Sequence, residues 1–185
     1  IHWRIQLAHC VTDYNRVYQA ALSPNLLERP RLDKHLQQLL SDVVKMRGLI
    51  TPASKETRIQ KSIFEAIQTI NRNLVCMLEL QINALWATRE SHFVMLNAHT
   101  LRETQQITQQ ALLTIAHALF EGNPQPILAN SEKLNETVNE LRTLIRQHDE
   151  HNVAETPIHG YVWLSLETAR QLELLSHLIC RALRK

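Results

Sequence analysis

The sequence predicts an all-α protein, an antiparallel bundle of about six helices, several of them long. Three observations predict it. The 185 residues hold only three Gly and six Pro, fewer turn formers than a β-rich chain needs. Leu, Gln, Glu, Ala, Arg and Thr dominate, and all but Thr are good helix formers. Apolar residues recur at helical spacing, and no alternating strand pattern of useful length interrupts them.

The elements follow in order. The first segment carries Leu7, Val11, Tyr14, Tyr18 and Ala21 on one face. A short link between Ser23-Pro24-Asn25 and Arg29-Pro30 ends it. The second, starting near Pro30, carries Leu32, Leu36, Leu39, Val43 and Met46. Gly48 to Ser54, with Pro52 inside, predicts the next link. The third segment carries Ile59, Ile63, Ile67, Ile70, Leu74, Met77 or Leu78, and Leu85; the fourth carries Val94, Ala98, Leu101, Leu112, Ile115 and Leu119, with Thr108 as a polar interruption.

No Gly or Pro lies between Glu56 and Phe120. A break near Thr88 to His92 is nevertheless preferred to one continuous helix. The stripe weakens at Gln81 and Thr88 and resumes out of phase at Val94, and Ser91 is an available cap. Glu121-Gly122-Asn123-Pro124 is the strongest stop-and-start signal: Gly ends a helix, Asn caps the next, and Pro fits the first turn. The fifth segment carries Leu134, Val138, Leu141 and Leu144. After a polar link from His148 to Pro157, the sixth carries Ile158, Val162, Leu166, Ala169, Leu172, Leu175 and Ile179.

Each stripe is one face wide, and residues such as Arg72, Glu79 and Arg89, or Arg102, Gln105 and Gln109, mark the polar side. Helices of this kind bury their apolar faces against one another, as stacked hairpins or as a single elongated bundle. The chain shows no fixed-period repeat and no low-complexity segment.

Charge is balanced, 20 basic against 18 acidic residues, which does not predict a nucleic-acid footprint. Arg181, Arg184 and Lys185 make the last segment basic. A helix end favoured by the helix dipole explains them, and so does a position beside a membrane span. Cys10, Cys76 and Cys180 are too far apart for a zinc site or a disulfide framework. Each sits among apolar neighbours, so buried free thiols in a reducing compartment are expected. No signal peptide and no membrane-spanning apolar run is present. The opening Ile1-His2-Trp3, without an initiator Met, is expected of a piece of something longer.

Candidate chemistry is sparse. His148-Asp149-Glu150-His151 is the densest group of metal-ligand types, and a solvated segment at a polar helix end is the preferred reading of it. HExxH and paired Glu-x-x-His motifs are missing. His92 and His99 share a face of the fourth segment, and His117 and His177 border apolar stripes, where partly buried, hydrogen-bonded side chains are expected. Cys10 and His9 are neighbours on a helix and point apart. No nucleophile elbow or phosphate loop occurs. Trp3, Trp86 and Trp163 are expected as core anchors at helix junctions, with an aromatic-ligand pocket at Tyr161 and Trp163 as the sharper reading. Catalytic, cofactor and metal residues are therefore predicted to be none, and no cofactor is expected.

Asp42-Val43-Val44-Lys45-Met46-Arg47-Gly48-Leu49-Ile50, then Lys55-Glu56-Thr57-Arg58-Ile59 and the long helix Ile63 to Leu85, resembles the soluble region of the aromatic acid exporter family, the fusaric-acid-resistance-like inner-membrane proteins. Thr156-Pro157-Ile158-His159-Gly160-Tyr161-Val162-Trp163 and Arg170-Gln171-Leu172 are similar in rhythm to the last helix of that region. The likeness is one of order, over segments two to six, and the family's membrane segments are absent. It implies that residues 1–185 form one cytoplasmic helical domain lying between two membrane halves. It further implies proton-driven export of aromatic carboxylic acids or related toxic compounds, a periplasmic membrane-fusion partner and self-association. Arg47 and Glu56 read as an ion pair at a helix junction or as substrate contacts, the ion pair being preferred. A helical sensor or scaffold domain that binds a partner helix or small ligand is the alternative reading, and a metal-dependent enzyme using the His148–His151 group is a third.

Overall fold

The computed structural model describes residues 1–21, 29–88, 98–150 and 156–184. Of these, the side chains at 29–31, 85–88, 98, 100, 147–150 and 156–159 are not described. The described chain is all-α: α1 (His2–Ala21), α2 (Arg29–Lys45), a 3-10 turn (Met46–Leu49), α3 (Ile50–Thr57), α4 (Lys61–Thr88), α5 (Ala98–Glu121), α6 (Gln125–Glu150) and α7 (Thr156–Ala182).

Seven α-helices stand among the described residues where six were expected. The extra one is α3, which occupies the predicted link from Gly48 to Ser54. Pro52 suggested a break, but it lies in the first turn of α3, where its missing N–H has no helical partner to lose. The true link is Arg58 to Gln60. Arg58 adopts a left-handed conformation at φ 58°. Around it, Ser54 Oγ donates to the Ile59 carbonyl at 2.7 Å, and Thr57 Oγ1 accepts the Ile59 N–H at 3.3 Å. These bonds turn the chain into α4. Likewise α6 continues through His148 to Glu150 and α7 begins at Thr156, so both ends of the predicted link of His148 to Pro157 are helical, while 151–155 lie outside the described residues. α4 is described as far as Thr88; the expected break from Thr88 to His92 falls on Arg89, Ser91 and His92, which, with Val94, lie outside the described residues.

Four helices form the centre. α1 packs on α5, and α4 packs on α7, with α5–α7 and α1–α4 contacts closing the group; α2 covers α1 and α4, and α6 covers α5 and α7. Directions follow from the paired residues. Arg4 meets Leu119 and Gln19 meets Gln109, so α1 and α5 are antiparallel. Gln81, late in α4, meets Ser165 and Thr168, early in α7. Gln68 donates to the Val43 carbonyl, running α2 against α4. The bundle is thus antiparallel, as predicted, and α4 is about 42 Å long at 1.5 Å per residue.

The predicted stripes are the core. Every apolar position named for the first, second and fifth segments is buried, as are Ile63, Ile67, Ile70, Leu74 and Leu78 in α4 and Val162 to Ile179 in the α7 stripe. Trp3 meets Phe64 edge-to-face with ring centroids 4.7 Å apart, joining the first turn of α1 to that of α4. The hairpin between α5 and α6 forms as its residues dictate. Gly122 is left-handed at φ 66°, and the Asn123 N–H bonds the Ala118 carbonyl. That is the Schellman pattern. Asn123 Oδ1 then accepts the Gln125 N–H at 3.0 Å, capping α6.

Candidate functional site

Polar chemistry concentrates inside the central four helices rather than in a surface catalytic cluster. α4 brings Gln81 inward, because its position continues the buried face of Leu74 and Leu78. Its amide is used in both directions. Nε2 donates to Ser165 Oγ at 3.2 Å, and Oε1 accepts from Thr168 Oγ1 at 3.2 Å. Ser165 Oγ also donates to the Tyr161 carbonyl at 2.9 Å. Gln105 Nε2 on α5 donates to Tyr161 Oη at 3.0 Å. On the α1 side, Tyr18 hydrogen-bonds the Thr108 side chain, and Thr108 Oγ1 donates to the Thr104 carbonyl. A polar seam therefore links α4, α7 and α5, with a second polar cluster between α5 and α1.

All three tyrosines of the chain are buried. Burial raises the pKa of Tyr14, Tyr18 and Tyr161 above the ordinary phenol value. They are neutral phenols here, not bases; Tyr18 and Tyr161 are hydrogen-bonded. Tyr14 Oη, Asn15 Oδ1 and Asn71 Nδ2 are buried without a protein hydrogen-bond partner. Each such atom costs stability.

The thiols differ from expectation in one case. Cys10 and Cys180 are buried, but Cys76 is exposed, on the rim of a cleft between α2 and α4. It stands on the α2-facing edge of α4, outside the buried stripe. Burial, with Asp42 and Asp13 nearby, pushes the Cys10 thiol up to about 12, so it stays protonated and non-nucleophilic. Burial also raises Cys180, partly offset by Arg184.

The other predicted candidates do not converge. Glu56 is exposed and lies beside the start of α1, not against Arg47, which is itself exposed within the 3-10 turn. The preferred Arg47–Glu56 ion pair is therefore not formed; α3 folds between them and carries Glu56 towards α1. His99, His117 and His177 are exposed rather than partly buried. His99 and His117 face Glu103 and Glu121 one turn on, at 3.2 and 3.9 Å. His92, and the side chains of the His148–His151 group and of Trp86, lie outside the described residues. Among the described residues, no group of three or more His, Cys, Asp or Glu is placed to hold a metal ion. Trp3 is the core anchor expected of it, whereas Trp163 is 48% exposed on the outer face of α7.

A cleft of ≈ 400 Å³ opens at the end of the bundle where α1 and α4 begin and α7 ends. Trp3 and Leu183 form apolar walls, and Arg4, Arg184, Glu56 and Glu121 form a charged rim. Residues 1 and 184 both border it. Sequence reading missed both this cleft and the seam. As polar residues interrupting apolar stripes, Gln81 signalled the seam and Thr108 the second cluster.

Comparison with curated proteins finds the chain similar to the inner membrane protein YeeA of Escherichia coli (strain K12), with 74% identity over all 185 residues. Those residues make up 53% of that relative, so the chain spans about half the length of the curated protein it matches. No protein-family model matches the chain, and no solved structure matches it. Among the described residues, no helix is long and apolar enough to cross a membrane.

Proposed function

We propose that this chain is a membrane-flanked helical domain of an inner-membrane efflux transporter, on the cytoplasmic side, serving export of aromatic carboxylic acids or related toxic compounds. The observation that carries the reading is the match along the whole chain to an inner membrane protein about twice its length. Substrate class rests on the resemblance of the Asp42 to Leu85 stretch to aromatic acid exporters. The domain performs no chemistry of its own in this reading. It gates access, organises the assembly or samples substrate, while transport runs through segments outside it.

The molecule's geometry suits that role. Residues 1 and 184 border one cleft, so the domain can hang from neighbouring segments by a single end. Arg181 and Arg184 at that end agree with the excess of basic residues on the cytoplasmic flank of membrane spans. Three free thiols agree with a reducing compartment. A periplasmic membrane-fusion partner belongs to the same proposal.

Growth under aromatic-acid challenge tests it. Cells producing the full-length protein are compared with cells lacking it, and with cells producing a form in which this domain is deleted but the protein still inserts. The reading expects resistance only with the full-length protein. Equal sensitivity of all three strains contradicts it.

A further inference from the structure

We infer that the outer face of α7 is a docking surface for a second copy of this chain, met in antiparallel across a two-fold axis between Thr168 and Ala169. Four residues spaced three or four apart share that face: Trp163, Glu167, Arg170 and Leu174. Trp163 is 48% and Leu174 47% exposed, although both are large apolar side chains. The stripe therefore reads apolar, acidic, basic, apolar over three turns, about 16 Å of helix.

That order is what selects the occupant. A two-fold axis through the middle of the stripe sets Trp163 against Leu174 of the second copy, and Leu174 against its Trp163. The same operation sets Glu167 against Arg170 of the second copy and Arg170 against its Glu167. Both apolar residues gain an apolar partner and both charges gain an opposite one. A parallel pairing of the two helices would bring Glu167 near Glu167 and Arg170 near Arg170, so charge excludes it. An isologous contact must be complementary to itself, and few stripes are.

Local geometry leaves the two charges unequally open, with the Glu167 side chain 19% exposed at the foot of the stripe and Arg170 standing over it. Arg170 Nη1 donates to Glu167 Oε1 at 2.8 Å within the chain, with the Arg170 side chain half exposed. Its guanidinium has five N–H donors, so it can hold its own Glu167 and reach the second one. The dimer would then centre on four alternating charges flanked by two Trp–Leu contacts.

The neighbouring helix adds to the surface. Gln81 bonds Ser165 and Thr168, which places the adjacent Leu80 level with the middle of the stripe. Leu80 is itself 55% exposed, an apolar side chain on the neighbouring helix. An interface of this extent is at the small end of specific contacts, so a weak, reversible dimer is expected.

Sedimentation of the 185-residue chain, from about 1 to 300 μM, reads the outcome directly. The inference expects a concentration-dependent monomer–dimer equilibrium. Glu167→Arg and Arg170→Glu each place like charges across the axis, and each should weaken the dimer by roughly tenfold or more. Mixing the two variants restores opposite charges at both contacts, so the mixture should dimerise as the original chain does. Circular dichroism of each variant confirms its helices, and rescue on mixing cannot come from a misfolded chain. A chain that stays monomeric throughout overturns the inference, as does a dimer indifferent to both substitutions. A monomer that floats with anionic vesicles through Trp163 would also overturn it and give the stripe to a membrane surface.

Discussion

Arg4, in the first turn of α1, donates from Nη1 to the backbone carbonyl of Leu119 at 2.7 Å, 115 residues away. The same nitrogen reaches the Phe120 carbonyl at 2.8 Å. These carbonyls belong to the last turn of α5, where helical partners run out and the helix dipole is negative. A cation there satisfies both demands. Gly122 permits the approach: a Cβ on it would stand 2.8 Å from Arg4 Nη1, and its φ of 66° disfavours other residues.

Two substitutions at this joint are predicted to be costly and coupled. Arg4→Ala should destabilise by about 1–2 kcal/mol, the worth of charge-assisted bonds at a partly exposed helix end. Gly122→Ala should cost a further ~1 kcal/mol or more for backbone strain. Because a Cβ at 122 displaces the guanidinium, the double variant should lose less than the sum of the two. Denaturant unfolding of the four proteins measures this; strict additivity would separate the two residues.

The seam predicts an asymmetry of substitution. Gln81→Leu strips Thr168 Oγ1 of its acceptor and Ser165 Oγ of a donor, which should cost about 1–3 kcal/mol. Thr168→Val made together with Gln81→Leu removes the stranded hydroxyl as well. The pair should be more stable than the separate costs imply, and a double-mutant cycle on thermal unfolding reports it.

Much of the fold was legible in the sequence because helix burial and capping are local. Leu32, Leu36, Leu39 and Val43 name a face by spacing alone, and Gly122-Asn123-Pro124 is a turn written in three residues. What escaped depended on distant partners or on the sense of a breaker. Pro52 reads as an interruption until its place in a first turn is known. Gln81 reads as a weak point in a stripe, yet it is buried, because Ser165 and Thr168 arrive from another helix. Trp163 and Cys76 read as core by residue type. Whether an outer face is covered is decided by neighbouring helices, not by spacing, and both are exposed. The Arg47–Glu56 pairing failed for a related reason, since the intervening link is a helix.

Alkaline pH should unfold the protein through its phenols and one thiol. Burial raises Tyr14, Tyr18 and Tyr161 above 10, and Cys10 from 9 to about 12. Below pH 9, folded and unfolded chains both hold these protons, and the contribution is fully present. Above it the unfolded chain releases them first, so stability falls as pH rises. Absorbance at 295 nm should show no tyrosinate until helicity is lost, and then all three ionising together. Tyrosinate appearing in the folded protein would contradict the burial.

Phe64→Ala should cost about 3–5 kcal/mol, as expected for a fully buried ring. It also removes the edge contact to Trp3, so tryptophan fluorescence should report a changed environment for that residue while the helices persist.

Cys76 offers the most direct measurement of where this domain works. It is exposed, whereas Cys10 and Cys180 are buried, so a membrane-impermeant maleimide should label it alone in the folded protein. The full-length protein, labelled in spheroplasts and in inverted inner-membrane vesicles, reports which side the domain faces. The account predicts Cys76 labelling in inverted vesicles and protection in spheroplasts. Labelling in spheroplasts, or recovery of the full-length protein outside the membrane fraction, would contradict it.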